Sequence, residues 1–336
     1  QLLFMQTPAH AAVKEFVDVA NASRKSSGFA GMINAVLRKI STMERDPDPT
    51  HDLPDWLRTR WTATYGADVV RAMAECLQGA PPLDITPKTN AAEWARKLGG
   101  ELLPVGSIRL REHDPVALLP GYHDGAWWVQ DSAAVIAARL IGAKGKRVCD
   151  LCAAPGGKTL QLAAAGGEVT AVDIDEGRLR RLRRGLARTG LLAKVVCADA
   201  LSWRPDEPFD AALLDAPCSS TGVLRRHPEA AWLRSPAHVK SYAETQAALL
   251  KAAPEMVKIG GMLVYSVCSL EPEEGPARIE TALESGRWKR APVTPDEVGG
   301  LAEIITEDGD VRTLPCHLAD RGGMDGFYAA RLIRIA

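Results

Sequence analysis

From about residue 130 the chain repeats one rhythm: a short apolar run, a turn of small or polar residues, then a stretch with helical spacing. Apolar runs fall at 147–151, 168–174, 194–197, 209–214 and 261–267, with a last one at 326–335. Helical stretches such as 158–165 and 177–188 separate the early ones. Alternation of this kind predicts parallel strands joined by crossover helices. The expected fold is α/β, a Rossmann-like, doubly wound and mostly parallel sheet. Such sheets bind ligands at the carboxyl ends of their strands. Cys152, Asp173, Asp199, Asp215, Cys218 and Cys268 all fall there.

The first 130 residues read differently. Val13, Phe16, Val17 and Ala20 stand at helical spacing, and so do Ile33, Val36, Leu37 and Ile40. Residues 1–45 carry six Lys/Arg against three Asp/Glu, a mild basic bias. The stretch D-P-D-P-T-H-D-L-P (46–54) has the composition of a linker. Residues 54–78 read as helical. Prolines at 87, 104, 115 and 120 then cut the chain into short elements that periodicity does not assign. The expected division is a helical region 1–46, a small mixed α/β region 54–125 and the α/β region 126–336.

At 336 residues there is room for two or three domains. All apolar runs are far shorter than the ~20 residues of a membrane span, so no membrane partner is expected. The net charge of −1 means that any nucleic-acid contact must come from a local patch. Seven cysteines without framework spacing suggest free thiols and a reducing, cytoplasmic setting, and a monomer is expected. The chain opens at Gln1 rather than Met, which is compatible with a fragment, and no targeting signal is visible.

The loop D-L-C-A-A-P-G-G-K-T (150–159) leaves the first of these runs and opens a helix. Small residues let backbone approach a ligand, and a helix start favours negative charge. A Walker phosphate loop would need glycine where Cys152 stands, and no G-x-G-x-x-G is present. The remaining reading is an adenosyl-cofactor loop of the methyltransferase kind. Asp173 then lies where an acid meets the ribose, and Asp199 could meet the adenine edge. Either carboxylate alone could equally be a helix cap. Three strand ends in register favour the nucleoside. The C-x-x-C of Cys149 and Cys152 lacks partners for zinc and sits wrongly for a thioredoxin-like site.

Free cysteines usually pack, and Cys76, Cys149 and Cys197 read that way. Cys218, in D-A-P-C-S-S-T-G, and Cys268, in V-Y-S-V-C-S-L, instead occupy loops at the ligand edge of the sheet. A thiolate is the attacking form, and a pyrimidine ring gives it a task. Addition at carbon 6 of cytosine makes carbon 5 nucleophilic enough to take a methyl group. The adduct must afterwards lose a proton, which needs a base. Asp215 could stabilise charge developing on the ring. On chemistry alone, either cysteine could be the nucleophile.

In combination, C-A-A-P-G-G-K-T, D-A-P-C-S-S-T-G, V-C-S-L-E-P-E-E and M-D-G-F-Y-A-A-R-L are highly specific. The chain resembles the RNA cytosine-5 methyltransferases of the Nop/Sun family, in particular the bacterial Sun (RsmB-type) enzymes of small-subunit ribosomal RNA. Residues 8–15 and 31–39 look like the end of that family's NusB-like helical domain, and 119–131 like the entry to its catalytic domain. The resemblance implies S-adenosylmethionine as cofactor, with Cys152, Ala153, Ala154, Pro155, Gly156, Gly157, Lys158, Asp173, Asp199 and Asp215 binding or adjoining it. It implies RNA as partner. It makes the later cysteine, Cys268, the nucleophile and gives Cys218 a part in product release. Two departures stand out. Val267 stands where the family usually has threonine before the nucleophile, and against the family's pattern the helical domain is expected to lack its beginning in this sequence.

The stretch 177–188 carries six arginines, which suit a solvated helix face at least as well as phosphate contact. Arg225 and Arg226 follow the Cys218 loop directly, so a substrate-side role is expected for both. An RNA base reached this way must be splayed out of its helix. Two other classes compete: a different Rossmann enzyme such as an NAD-dependent oxidoreductase, and a non-catalytic RNA-binding assembly factor. The missing dinucleotide fingerprint opposes the first, and the intact cysteine pair the second.

Overall fold

The computed structural model describes residue 2 and residues 7–43 and 48–336. Asp46 and Pro47, at the start of the expected linker, lie outside the described residues. The chain forms two compact units, 1–51 and 52–336. The first contains helices Ala9–Ala22 and Ala30–Ile40, which pack on each other. Among the described residues no helix is long and apolar enough to cross a membrane.

The second unit begins with helices Asp55–Tyr65 and Ala67–Leu77. The sequence suggested one helix here. Gly66 divides it, with a φ of +87° that favours glycine. A four-stranded antiparallel sheet follows, made of β1 (Leu83–Pro87), β2 (Glu101–Leu102), β3 (Ile108–Leu110) and β4 (Trp127–Val129) in the order β2-β3-β1-β4. β4 lies just beyond the expected boundary at 125 and completes this smaller sheet.

The main sheet holds β5 (Arg147–Leu151), β6 (Glu168–Asp173), β7 (Lys194–Cys197), β8 (Phe209–Asp215), β9 (Val257–Val267), β10 (Trp288–Arg290), β11 (Val311–Thr313) and β12 (Phe327–Arg334). Its order is β10-β12-β9-β8-β5-β6-β7, with β11 paired to β12. Strands β5 to β9 run parallel to one another, whereas β12 is antiparallel to β9, β10 and β11. This is the expected mostly parallel, Rossmann-like sheet.

β8 explains why the runs are so continuously apolar. Its Ala211 and Leu213 pack with helix Ser132–Ile141 on one side. Its Ala212 and Leu214 pack with Leu249, Leu250 and Ile279 on the other. Both faces are covered, so no polar alternation survives, and each leucine buried here contributes about 1.5–3 kcal/mol. β9 carries an irregularity. Phe209 faces Val257 but Ala211 faces Met262, so β9 is longer than the run 261–267 suggested.

Strand register sets the site. Leu151 lies beside Leu214, Asp215 beside Ser266, and Asp173 beside Cys197. The carboxyl ends of β5, β6, β8 and β9 therefore form one edge.

Candidate cofactor and thiol site

The loop after β5 is built for close approach. Cys152 takes a left-handed conformation, and Gly156, at φ +113°, leads into helix Gly157–Ala164. A Cβ on Gly156 would come within 2.8 Å of Leu182 Cγ, so packing as well as φ demands glycine. On Gly157 it would make ordinary van der Waals contact with Gln130 at 3.7 Å, so a side chain there is not excluded by space. Asp173 anchors the loop from below. Its carboxylate accepts from Ala154 N and from Asp175 N, both at 3.0 Å, and pairs with Arg178 at 3.5 Å. A fixed carboxylate beside a glycine-led helix start fits the ribose and amino-acid ends of S-adenosylmethionine. Ala198 N donates to Asp173 O, which places the β7 end and Asp199 beside the same acid.

Asp215, at the end of β8, accepts from Lys158 Nζ at 2.8 Å and from Ser266 Oγ at 3.0 Å. The Lys158 ammonium also lies over the Phe327 ring, 4.8 Å from its centroid. Helix start, β8, β9 and β12 are thereby joined at one buried cation. Below it, Asp150 is fully buried and accepts from Thr159 Oγ1 at 2.5 Å. Burial pushes its carboxyl up to about 7.

The two loop cysteines meet. Cys218 Sγ and Cys268 Sγ are 3.4 Å apart, and Ser220 Oγ lies 3.8 Å from Cys268 Sγ. Their surroundings are asymmetric. The hydrogen bond from Cys218 draws the Cys268 thiol down, with Lys158 and Ser220 assisting against burial and Asp215. Cys218 is pushed up by the same bond, by burial and by the charge of Glu274. Cys268 is therefore the more acidic thiol of the pair and Cys218 the less acidic. The third cysteine at this edge behaves oppositely. Burial and the charges of Asp173, Asp215 and Asp150 push Cys152 up to about 12.

The loops carrying the pair are stitched together. Gly222 N donates to Cys268 O at 3.0 Å, and Leu270 N to Thr221 Oγ1 at 3.0 Å. Buried Glu274 accepts from Ser219 N at 2.8 Å, from Gln246 Nε2 at 3.0 Å, and from the hydroxyls of Ser219 and Ser269. Helix Asp55–Tyr65 braces the Cys268 side. Arg60 Nε donates to Glu271 at 2.6 Å, Trp61 Nε1 to Glu271 at 2.9 Å, and Tyr65 Oη to Leu270 O.

Most of the residues singled out in the sequence gather at this edge: the 152–158 loop, Asp173, Asp199, Asp215, Cys218 and Cys268. Arg225 does not. It is 3% exposed, donates to Asp131 at 2.6 Å and to Gly322 O, and lies 3.5 Å from Asp325. Its guanidinium ties the Cys218 loop to the start of helix Ser132–Ile141. Arg226 remains exposed while bonding Asp325 at 2.9 Å. Within 177–188, Leu179, Leu182 and Leu186 face inward as expected, Arg188 donates to Tyr122 O and Trp127 O, and Arg180, Arg181 and Arg184 are exposed. Sequence reasoning missed Asp150, Ser266 and the Glu274–Gln246 pair. Glu274 did stand in view, inside V-C-S-L-E-P-E-E. Among the described residues no group of His, Cys, Asp and Glu could hold a metal ion.

Comparison with known proteins agrees with this geometry. The family model described as 16S rRNA methyltransferase RsmB/F matches residues 137–333, and the NusB family model matches residues 1–42. The chain is 35% identical to ribosomal RNA small subunit methyltransferase B of Pseudomonas syringae pv. tomato, covering 100% of this chain and 79% of that one. It is 36% identical to the protein of the same name from Vibrio cholerae, covering 99% and 78%. The crystal structure of PH0851 superposes with a TM-score of 0.81 at 26% identity, over 94% of this chain and 75% of that chain. NSun6 from Pyrococcus horikoshii with SFG shares the fold, with a TM-score of 0.71 at 20% identity over 84% and 98%. With a family match across most of the catalytic sheet and relatives aligned along its whole length, the chain belongs to the 16S rRNA methyltransferase RsmB/F family and is an S-adenosylmethionine-dependent RNA methyltransferase.

Proposed function

We propose that the chain methylates carbon 5 of an exposed cytosine in small-subunit ribosomal RNA. The supporting observation is the 3.4 Å contact between Cys218 and Cys268, in surroundings that make Cys268 the more acidic of the two. In this reading Cys268 Sγ adds to carbon 6, and electron density moves to carbon 5. S-adenosylmethionine, when bound, supplies the activated methyl group that carbon 5 takes up. Residues Cys152 to Lys158, with Asp173 and Asp199, hold it. Asp215, fixed by Lys158 and Ser266, faces the ring and stabilises the charge that develops there. Loss of the carbon 5 proton to a base then restores the carbon 5–carbon 6 double bond and expels the Cys268 thiolate. Cys218, in contact with the departing sulfur, assists that last step.

Arg226 stands on the same loop as Cys218 and is read as a phosphate or sugar contact. The helical region 1–46 is read as an RNA-binding part and region 54–125 as a connecting one. The cytoplasm is the proposed location, in keeping with seven free cysteines.

The test is a denaturing gel of wild type, Cys218→Ala and Cys268→Ala, each incubated with small-subunit ribosomal RNA and S-adenosylmethionine. Expected is a slowly migrating protein–RNA band in Cys218→Ala alone, because attack proceeds while release fails. Cys268→Ala should lose methyl transfer by at least about a thousandfold and form no band. A band only in Cys268→Ala would reverse the two roles. Intact methyl transfer in Cys268→Ala with no band in any sample would remove thiol chemistry altogether.

A further inference from the structure

We propose that Glu274 is a positioning residue for the thiol chemistry: its buried carboxylate ties the Cys218 loop to the Cys268 loop so that one thiol can donate to the other. This rests on the cysteine reading above and adds the residue that sustains it. The two serines it grips are the immediate successors of the two cysteines. One carboxylate oxygen accepts from Ser219 N at 2.8 Å and Gln246 Nε2 at 3.0 Å, and the other accepts from Ser219 Oγ and Ser269 Oγ. Gln246 Nε2 also donates to Pro217 O at 2.9 Å, so both neighbours of Cys218 are held. Tyr265 Oη donates to Glu274 O and fixes the clamp to β9.

A fully buried carboxylate is an expensive way to hold two loops, since desolvation opposes its charge. Here four donors compensate it, and burial still pushes its carboxyl up. These directional hydrogen bonds have a use that an apolar contact would lack. They hold Ser219 and Ser269, and with them the two sulfurs at the 3.4 Å at which one thiol can donate to the other. The same group thus sets the distance between the sulfurs.

The conservative variant separates geometry from mere presence. In Glu274→Gln the amide oxygen can accept from Ser219 N and Gln246, while its NH2 donates to two serine hydroxyls that are free to rotate. The tie survives. In Glu274→Ala it is cut.

The measurement is the rate of Cys268 alkylation by iodoacetamide between pH 6 and 9.5, on the full chain, quantified on the Cys268 peptide by mass spectrometry. Glu274→Ala should raise the midpoint by about one pH unit and slow labelling at pH 7 about tenfold. Glu274→Gln should stay within about twofold of wild type. In a Cys218→Ala background, Glu274→Ala should add nothing, because the donor through which it acts is already gone. Both single variants should bind S-adenosylhomocysteine as wild type does. If Glu274→Ala fails to fold, Ser219→Ala with Ser269→Ala cuts the same tie from the other side and should give the same slowing. An unchanged profile overturns the proposal. So does a full tenfold effect in the Cys218→Ala background, or loss of cofactor binding alongside. No RNA enters this measurement, so its failure is separable from failure of the adduct test.

Discussion

Cys152 and Cys268 occupy equivalent places, each the first residue beyond a parallel strand of one sheet, β5 and β9. Their thiols go opposite ways. Cys152 faces Asp173, Asp215 and Asp150 from a buried turn and is held protonated. Cys268 also feels Asp215, yet a neighbouring thiol donates to it and Lys158 lies on its side. The edge of the sheet supplies a position, and the donors around a sulfur decide whether that position is reactive. The glycine-rich turn beside Cys152 serves binding, and the stitched loops around Cys268 serve attack.

Three substitutions press on that contrast. The largest effect is expected from Asp215→Asn. Its charge opposes the Cys268 thiolate, so removing it should speed alkylation of Cys268 while slowing methyl transfer about a hundredfold. If both rates rise, Asp215 only tunes the thiol and does not act on the ring.

Asp150→Asn tests the carboxylate side. Asp150 titrates at about 7 in the folded chain against about 3.9 for an ordinary aspartate. Between those values the native state holds a proton that the unfolded chain has released. Wild type therefore loses stability as pH rises through that window, by at most about 1.4 kcal/mol for each pH unit crossed. Asparagine can still accept from Thr159 and does not titrate. Melting temperatures of the two proteins should lie close together near pH 4 and separate by pH 8, with Asp150→Asn the more stable. Parallel curves would mean that Asp150 is already ionised at low pH.

The smallest effect is expected from Cys152→Ala: methyl transfer and S-adenosylmethionine affinity within about twofold of wild type. A tenfold loss of transfer would place chemistry on the wrong loop and end the comparison.

The strands were readable because burial on both faces leaves unbroken apolar runs, and β5 and β7 begin and end where the pattern ended. The same burial hid helix Ser132–Ile141. Eight of its ten residues are buried, so S-A-A-V-I-A-A-R-L-I shows no polar face for periodicity to find. The cysteines could be placed at one edge from strand ends alone. That they touch, and which one is the more acidic, depends on loops that only the fold brings together, from residues 218 and 268 to Lys158 and Glu274. Arg225 illustrates the opposite case. Its place beside the Cys218 loop suggested substrate, but Asp131 and Asp325, about a hundred residues away on either side, claim its charge.

The brace on the nucleophile loop has an evolutionary consequence. Glu271, fully buried three residues after Cys268, is satisfied by Arg60 and Trp61 of helix Asp55–Tyr65, far upstream of the region that the methyltransferase family model matches. A recombination that transplanted only residues 137–333 would strand that carboxylate in an apolar gap, at about 3–5 kcal/mol. The loss would fall on the loop that carries the attacking sulfur. The sheet is therefore not a freely exchangeable cassette in this chain: the loop that carries Cys268 needs the upstream helix to satisfy Glu271.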